Sequence, residues 1–388
     1  MKKAILFCFV LSSLVKAGES FPTQQLLDKS IKRLNNTQFY SSQKISEVSA
    51  WLVGLPTLGF SVLQSDNKLG TDEYELSLNL PFKSRQRKKL DKQLATQAQL
   101  FTSIIKQNKQ LFVSGLIRET IWQYKIAKKK RDIEQIKLDW LNKQKALLNQ
   151  LVQSGDSQID LLFVEKQSLD AQLLILELEQ EMKLRHTQFH YITGVAEIPE
   201  VFYENAVADE NLVFRKHPII QQLQLSLQQS DLMYELAGKA NNPINVSLTA
   251  LDIDSTGAKD RQYGIGIEVP IGLRKSKTQA DSSSWLQQQN NLSNQLITFE
   301  RNFKTQFTEL RSEYNLLKKK QSLLELQTQK TKQIFIKLEQ LRRNNELNQG
   351  LFFQRMIELI ASIHQGELNQ LYLNQNQSRQ KQLTGVIL

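Results

Sequence analysis

The sequence predicts a mainly helical protein that contains two β-hairpins and consists of two internal repeats. Three observations support this fold class. Two short stretches alternate apolar and polar residues, the long stretches that follow them contain no proline and almost no glycine, and the same order of elements occurs twice along the 388 residues. Alternation with a period of two is typical of strands with one apolar face, whereas apolar spacings of three, four and seven are typical of helices.

The N-terminal segment, residues 1–17, has the pattern of a secretory signal peptide. Lys2 and Lys3 precede the apolar run AILFCFVLSSLV, and the small residues Val15 and Ala17 suit signal cleavage. The run has about a dozen apolar residues, fewer than the roughly 20 that span a bilayer. The single cysteine, Cys8, lies inside this segment. We therefore expect an exported chain without disulfides or a cysteine nucleophile after cleavage.

Two stretches predict the β-hairpins, at residues 50–82 and 243–271. In the second, Ile244, Val246 and Leu248 alternate with polar residues, and after a turn Ile265 and Ile267 alternate with glycine and glutamate. The first stretch has the same pattern in PTLGFSVL and YELSLNLPF. Each hairpin is therefore expected to have one apolar and one polar face.

Helices are predicted for most of the remaining sequence, in two repeats with the same order. The first repeat, 18–194, has a helix, the hairpin, a long helix at 83–153 and a helix at 157–193. A linker at 195–216 leads to the second repeat, 217–388, which has a helix, the hairpin, a long helix at 273–343 and a helix at 347–384. Matching landmarks support this register: Pro81 with Pro270, Gly155 with Asn345, and the sequence TGV at 193–195 with TGV at 384–386.

This organisation resembles that of the TolC-like outer membrane efflux proteins over nearly the whole chain after the signal. The resemblance is carried by PTLGFSVLQ with YELSLNLPF, GDSQIDLLFVEKQSL, HPIIQQLQLSLQQSDLMYELAGKANNPINVSL with YGIGIEVPIG, and ELNQGLFFQRMIELIASIHQ. Residues 50–52, Gly70, 73–75 and 80–87 are most similar to the CzcC-like branch, which serves heavy-metal cation efflux. The resemblance implies a homotrimer with a shared 12-stranded β-barrel, four strands per chain, continued by an α-helical barrel.

The residues alone also favour sharing of strands between copies. Four strands are too few to close a barrel, and an open sheet edge is not tolerated in lipid. Two copies would give eight strands, whose interior side chains fill, whereas three copies would leave room for a pore. The resemblance implies a passive exit duct in the outer membrane of a Gram-negative bacterium. It also implies a periplasmic adaptor (membrane fusion) protein and an inner membrane RND-type transporter as partners.

Other functions are less consistent with the sequence. A soluble periplasmic coiled-coil adaptor or structural protein is the alternative, but it would need no apolar outward face on the strands. The net charge of +11 would allow nucleic acid as a partner, yet the lysines are spread among glutamates and glutamines of an exported chain. No nucleotide-binding loop, serine triad or carboxylate pair is evident, so we expect neither an enzyme nor a cofactor.

Two sequence patterns could indicate a metal-binding site, and both are weak. His186 and His190 stand one helical turn apart, but Thr187 occupies the place of the glutamate in a zinc-protease helix, and no third ligand is evident. Asp252 and Asp254 begin like a calcium loop, but Tyr263 stands where a bidentate glutamate is required. We predict no metal site, with the histidine pair as the only weak candidate.

The two tight breaks after the long helices are the predicted functional positions. In the family that the sequence resembles, they form the periplasmic end, which closes the tube and meets the adaptor. The six candidate residues for this gate and adaptor contact are Asp156, Asp160, Arg342, Arg343, Asn345 and Glu346. The alternative is that they are helix caps and solvated charges, which helix ends favour in any case.

Overall fold

The computed structural model describes residues 23–36, 49–67, 70–152, 158–202, 204, 214–240, 243–255, 257–269, 278–344 and 348–388. Most of these residues are helical, and the strands form one antiparallel sheet, which confirms the predicted fold class. The elements in chain order are α1 (Thr23–Asn36), β1 (Thr57–Leu63), β2 (Thr71–Phe82), α2 (Arg85–Val152), α3 (Gln158–Thr193), α4 (Pro218–Ala240), β3 (Ile244–Ser255), β4 (Ala258–Glu268), α5 (Gln279–Arg343), α6 (Gln349–Ile363) and α7 (Gln365–Leu383).

The sheet has the strand order β1-β2-β3-β4. Its central pair joins the two predicted hairpins, with Leu76 opposite Ala250 and Leu78 opposite Leu248. The turn of the second hairpin contains Gly257 at φ +116°, a backbone conformation that residues with a β-carbon rarely adopt. Within the described part of the chain, β1 and β4 each pair with a single strand, so the sheet has two open edges.

Two compact units divide the chain, and each combines residues from both predicted repeats. The first comprises Met1–Tyr40, Gln107–His217 and Asn302–Leu388, and the second comprises Ser41–Lys106 and Pro218–Arg301. The second unit holds the sheet, α4 and the beginnings of the two long helices α2 and α5. The first unit holds α1, α3, α6, α7 and the remainder of α2 and α5. The repeats of the sequence are therefore not the units of packing.

Each unit has its own packing contacts. In the first unit, apolar side chains of α1, α2 and α3 form one core, in which the rings of Trp122 and Phe202 meet edge to face at 5.8 Å. In the second unit, Tyr234 of α4 stacks on Trp285 of α5 with the ring centroids 4.7 Å apart. The Trp285 indole N–H also donates to Asp231 at 3.0 Å. These contacts fix α4 against the beginning of α5.

The last part of the chain differs from the prediction. One helix is predicted over 347–384, but the structure has two, α6 and α7, interrupted at His364 with φ −94° and ψ −2°. Gly366 stands two residues further on, and glycine has a low helix propensity. None of the described helices carries an apolar stretch long enough to cross a bilayer.

Candidate functional site

The two helix breaks lie at the ends of α2 and α5, and the structure describes part of the predicted site. Asp160 is in the first turn of α3, and Arg342 is in the last turn of α5. Asp156, Asn345 and Glu346 lie outside the described residues. Arg343 ends α5, and its side chain also lies outside what the structure describes.

An apolar cluster, which we call the tip cluster, brings the two breaks together. It consists of buried side chains from α2, α3 and α6, namely Leu141, Leu148, Val164, Phe352, Phe353, Met356 and Leu359. Trp140 packs on it, with its ring 6.3 Å from that of Phe352 and 6.1 Å from that of Phe353. Because α2 and α3 belong to the first repeat and α6 to the second, the tip cluster joins the two repeats within one chain.

Asp160 lies against the beginning of α6. A β-carbon built on Gly350 would be 2.9 Å from Oδ1 of Asp160, so the carboxylate occupies the space that a side chain would need. Asn348 caps the same helix end, where its side chain accepts a hydrogen bond from the backbone N–H of Leu351 at 3.2 Å. A carboxylate near helix N-termini is stabilised by the unpaired N–H groups there. Asp160 therefore lies near the N-terminal ends of both α3 and α6.

Arg342 packs on the tip cluster. Its guanidinium carbon is 4.6 Å from the ring centroid of Phe352, a cation–π geometry. Among the described side chains of one chain, Arg342 and Asp160 form no ion pair. The predicted charge contacts between copies at the gate stay a prediction. The sequence did not predict that Phe352 is the partner of Arg342, because the two residues lie on different helices, on either side of the break between α5 and α6.

The histidine pair lies on α3. The Nδ1 atom of His190 is 3.2 Å from the carbonyl oxygen of Val195, and the ring of His186 is 6.5 Å from that of Tyr124. Among the described residues, no group of three or more histidine, cysteine, aspartate or glutamate side chains is placed to hold a metal. His190 thus contacts a backbone carbonyl group, whereas His186 contacts an aromatic ring.

The sheet has two chemically different faces. On one face, the pairing aligns Phe60, Leu76, Ala250 and Tyr263 in one row and Leu58, Leu78, Leu248 and Ile265 in the next. This apolar face is exposed in the single chain, and Ile265 has 76% of its surface accessible. Behind these two rows the opposite face carries glycine, serine, threonine and asparagine, and towards the turns it also carries Glu73, Glu75 and Asp260. A β-carbon on Gly264 would lie 2.8 Å from Oγ1 of Thr249, so this face is packed closely.

A buried polar cluster in the first unit was not predicted. Arg118 of α2 forms a salt bridge with Glu204 at 2.7 Å and donates to the side chain of Gln382 at 2.7 Å and to the carbonyl of Val386 at 2.9 Å. Ser378 also donates to Glu204. This network ties part of the predicted linker and the C-terminal residues to α2. An arginine within a long polar helix gives no sequence signal for such a role.

A second contact also fastens the linker to α2. The ammonium group of Lys125 donates to the carbonyl of Glu200 at 2.7 Å, beside a cavity of about 270 Å³ that Trp122 and Phe202 also line. Partial burial lowers the pKa of Lys125 from 10.5 to about 8, because desolvation disfavours the charged form. The predicted linker between the repeats is thus attached to α2 by the salt bridge of Arg118 with Glu204 and by the hydrogen bond of Lys125 to Glu200.

The comparisons with known proteins concern the fold. No protein-family model matches the chain, and no curated protein matches it in sequence. Solved structures do match. The outer membrane protein VceC from Vibrio cholerae has a TM-score of 0.65 at 10% identity, with 94% of this chain and 96% of that chain covered.

Two further solved structures are similar over the same share of this chain. The CmeC outer membrane channel of Campylobacter jejuni has a TM-score of 0.60 at 12% identity, with 94% of this chain and 81% of that chain covered. The open state of the MtrE outer membrane channel of Neisseria gonorrhoeae has a TM-score of 0.61 at 14% identity, with 94% and 87% covered. The chain therefore has the fold of these outer membrane channels.

Proposed function

We propose that the chain forms a passive exit duct in the outer membrane of a Gram-negative bacterium, extending into the periplasm. In this function it catalyses no reaction and needs no cofactor, because an inner membrane RND-type transporter and a periplasmic adaptor provide energy and coupling. The observation that carries the proposal is the sheet with two open edges and one exposed apolar face. The outer membrane channels with the same fold support it.

The exposed face favours lipid over water as its surroundings. A contiguous apolar surface of this kind is rare on soluble monomers. In lipid, each unpaired backbone N–H or C=O group at an open edge costs several kcal/mol. Edges β1 and β4 must therefore pair with strands of other copies, because each pairs with one strand only within the residues that the structure describes.

The strand count favours three copies. Two copies would give an eight-stranded barrel, whose interior is filled by side chains, whereas three give twelve strands and room for a pore. In this assembly the apolar face contacts lipid, and the face with Thr249, Ser77 and Gly264 lines the water-filled interior. The small side chains on that face are consistent with an open lumen.

For the cargo we infer heavy-metal cations. The sequence resemblance to the CzcC-like branch supports this, and so do carboxylates on the polar face of the sheet. The pairing aligns Glu73 with Ile253 and Asp260, and Glu75 lies two residues along the same strand and on the same face. Acidic side chains around a lumen attract cations and repel anions.

For the tip we infer a gate that also contacts the adaptor. The candidates remain Asp156, Asp160, Arg342, Arg343, Asn345 and Glu346. The contacts of Asp160 with Gly350 and of Arg342 with Phe352 support a role in positioning, since both side chains bridge elements on either side of a break.

Substitution on the two faces of β4 tests the duct. Ile265→Lys places a charge on the apolar face, where lipid contact would cost about 2–4 kcal/mol near the bilayer centre. Gln262→Lys places the same charge on the polar face and is the matched control. We expect the wild type and Gln262→Lys to require detergent for extraction and to migrate as trimers, and Ile265→Lys to lose the trimer. Recovery of the wild type in the soluble periplasmic fraction would support the adaptor alternative instead.

A further inference from the structure

An exposed apolar segment, residues 49–55, lies at the end of the sheet from which α2 continues. Leu52 stands opposite Phe82, so the segment runs beside the last residues of β2 and extends the apolar face of the sheet. In the same segment Trp51 has 65% of its surface accessible, and Leu55 has 85%. Exposed tryptophan is typical of the level at which a membrane meets water.

In the proposed duct this segment lies at the periplasmic boundary of the membrane. Helix α2 follows β2 directly, and the helices extend into the periplasm, so Phe82 is the last residue of the apolar face on the periplasmic side. From Tyr74 to Phe82 the strand is about 27 Å long, which an inclination of about 40° reduces to about 20 Å across the membrane. The apolar band of such sheets is roughly 25 Å tall. The lipid headgroups therefore begin just beyond Phe82.

The first turns of α2 carry cations at this level. They occur at i, i+3, i+4 and i+7, which places them on one side of the helix, and all four are exposed. We call them the basic stripe: Arg85, Lys88, Lys89 and Lys92. At 1.5 Å per residue the stripe is about 10 Å long, and long cationic side chains extend towards headgroups. The ammonium group of Lys88 lies 4.5 Å from the centroid of the Trp51 ring, so the stripe and the exposed segment form one surface.

The cations on the opposite side of α2 have partners within the chain. Lys83 is buried and lies 2.6 Å from a carboxylate oxygen of Asp91, and Arg87 lies 3.2 Å from the other oxygen. Within the described part of the chain, the four residues of the basic stripe form no ion pair. Asp91 thus neutralises the buried side of the helix and leaves the exposed side cationic.

One further carboxylate lies near the basic stripe. Asp231 of α4 lines a groove together with Lys89 and Lys92, but it accepts hydrogen bonds from the side chains of Trp285 and Gln289 at 3.0 and 2.7 Å. Like charges three and four residues apart destabilise a helix, and cations in its first turns oppose the helix dipole. An anion from outside the chain would offset both effects.

We propose that the basic stripe and Trp51 bind the headgroups of anionic phospholipid in the periplasmic leaflet of the outer membrane. Charge complementarity favours an anionic headgroup over a zwitterionic one, and continuity with the apolar face favours a lipid over a soluble anion. Arginine and lysine donate strong hydrogen bonds to phosphate oxygens. The inference rests on the proposed duct and names the class of lipid that holds the junction between its sheet and its helices.

Quenching of Trp51 fluorescence by brominated lipid tests this contact in the mature chain, reconstituted into phosphatidylcholine vesicles. A minor fraction of the lipid is replaced by brominated phosphatidylglycerol or, in parallel, by the same fraction of brominated phosphatidylcholine. We expect several-fold more quenching by the anionic lipid, because cations at a membrane surface enrich it. Concentrated salt should reduce this excess. Trp51→Phe should remove it, which distinguishes Trp51 from the other three of the four tryptophans.

Removal of the charges separates the basic stripe from the net charge of the protein. Arg85→Gln with Lys88→Gln, Lys89→Gln and Lys92→Gln should abolish the excess quenching and leave the trimer assembled. The matched control removes four exposed lysines of α5 and should keep the excess: Lys318→Gln with Lys319→Gln, Lys320→Gln and Lys330→Gln.

The possible results distinguish this inference from the duct. Equal quenching by the two lipids, or an excess that persists without the basic stripe, would overturn the inference and leave the duct intact. An inserted trimer in which neither lipid quenches Trp51 would also overturn it, because the surface would then face water or another protein. A mature chain that remains soluble and does not insert into vesicles would contradict the proposed duct itself.

Discussion

The returning helices of the two repeats are held to their long helices by different chemistry. In the first repeat, α3 is uninterrupted, and Ala171 and Ile175 pack with Leu138 of α2 in an apolar contact. In the second repeat, the helix is interrupted at His364, and α7 buries mainly polar side chains: Asn369, Gln375, Asn376, Ser378 and Gln380. The polar interior is confined to α7, because α6, which forms the first part of the same returning helix, buries apolar side chains as α3 does.

The polar contact of the second repeat is hydrogen-bonded. The amide of Asn369 donates to the carbonyl of Leu317 at 3.0 Å and to the side chain of Gln321 at 2.8 Å. Further along α7, Asn376 donates to Glu313 at 2.8 Å and accepts from Gln380 at 2.7 Å. These bonds connect α7 to α5 at defined positions.

The difference concerns how strictly the register of each helix pair is specified. Apolar contact is non-directional and permits small shifts along the helix axis. A buried hydrogen-bonded network is stable in one register, because any shift leaves polar groups without partners. We therefore expect the α5–α7 pair to be fixed and the α2–α3 pair to be adjustable. The predictions below test this contrast.

The largest effect is expected from a charge in the apolar contact. Ala171 is fully buried, so Ala171→Glu would bury a carboxylate that has no partner there. We expect the free energy of unfolding to fall by about 3–5 kcal/mol. Gln172→Glu adds the same charge one residue along, at an exposed position, and is expected to be near neutral. Thermal unfolding in detergent measures both, and equal stability of the two variants would contradict an apolar α2–α3 contact.

A smaller effect is expected in the polar contact. Asn376→Ala leaves Glu313 and Gln380 each without one hydrogen-bond partner, which costs about 1–3 kcal/mol. Gln370→Ala removes an exposed amide on the same helix and serves as the control. Hydrogen exchange along α7 should rise in the first variant and stay unchanged in the second. Unchanged exchange in Asn376→Ala would mean that the network does not hold the helix.

Local patterns in the sequence are sufficient for the sheet. Alternation in YELSLNLPF and NVSLTAL identifies β2 and β3 and the faces of their side chains, because a strand places neighbouring residues on opposite sides. The glycines and the short polar loop between β3 and β4 identify the hairpin. The fold class follows from these signals together with the long stretches free of proline, and the structure confirms it.

The polar interior of the second repeat has no such local signal. The run NQLYLNQNQSRQ has the composition of a solvated helix face, and its partners Glu313 and Gln321 lie far earlier in the chain. The interruption at His364 is also unmarked except for Gly366, and a single glycine is tolerated within many helices. Half of the predicted gate residues lie outside the described part of the chain. The contacts of Asp160 and Arg342 depend on packing across the breaks.

A pH dependence is expected from the beginning of the second repeat. Burial lowers the pKa of His217 from 6.5 to about 4. Between these values the unfolded chain binds a proton that the folded chain does not, so this contribution is fully present above pH 6.5 and is lost as the pH falls towards 4. The corresponding helix of the first repeat, α1, begins at Thr23 and contains no histidine.

Replacement of the ring tests this asymmetry. We expect His217→Phe to reduce the fall in unfolding temperature between pH 7 and pH 4.5 by a few degrees relative to the wild type. His186→Phe, which changes an exposed histidine of the first repeat, should keep the dependence of the wild type. Identical curves for the wild type and His217→Phe would assign the acid sensitivity to other groups.

The smallest effect is expected at the tip, where the repeats meet. In the proposed gate, Asp156 and Asp160 of one repeat face Arg342 and Arg343 of the other repeat around a ring of three copies. Each exposed contact should contribute no more than about 1 kcal/mol, but several repeated contacts around one constriction add up. We expect Arg342→Ser with Arg343→Ser to raise single-channel conductance in planar bilayers. The trimer should survive, because the stability of the trimer does not depend on these exposed contacts.

Two controls separate the possible causes of such an increase. Arg355→Ser removes a cation of α6 that pairs with Glu358 at 3.0 Å, and it should leave conductance unchanged. Arg342→Lys keeps the charge but not the planar group above Phe352, so conductance between those of the wild type and the double variant would assign part of the closure to the cation–π contact. An intact trimer with unchanged conductance in the double variant would mean that closure depends on contacts other than these arginines. The apolar α2–α3 pair, which has the looser register, would then be the next element to test.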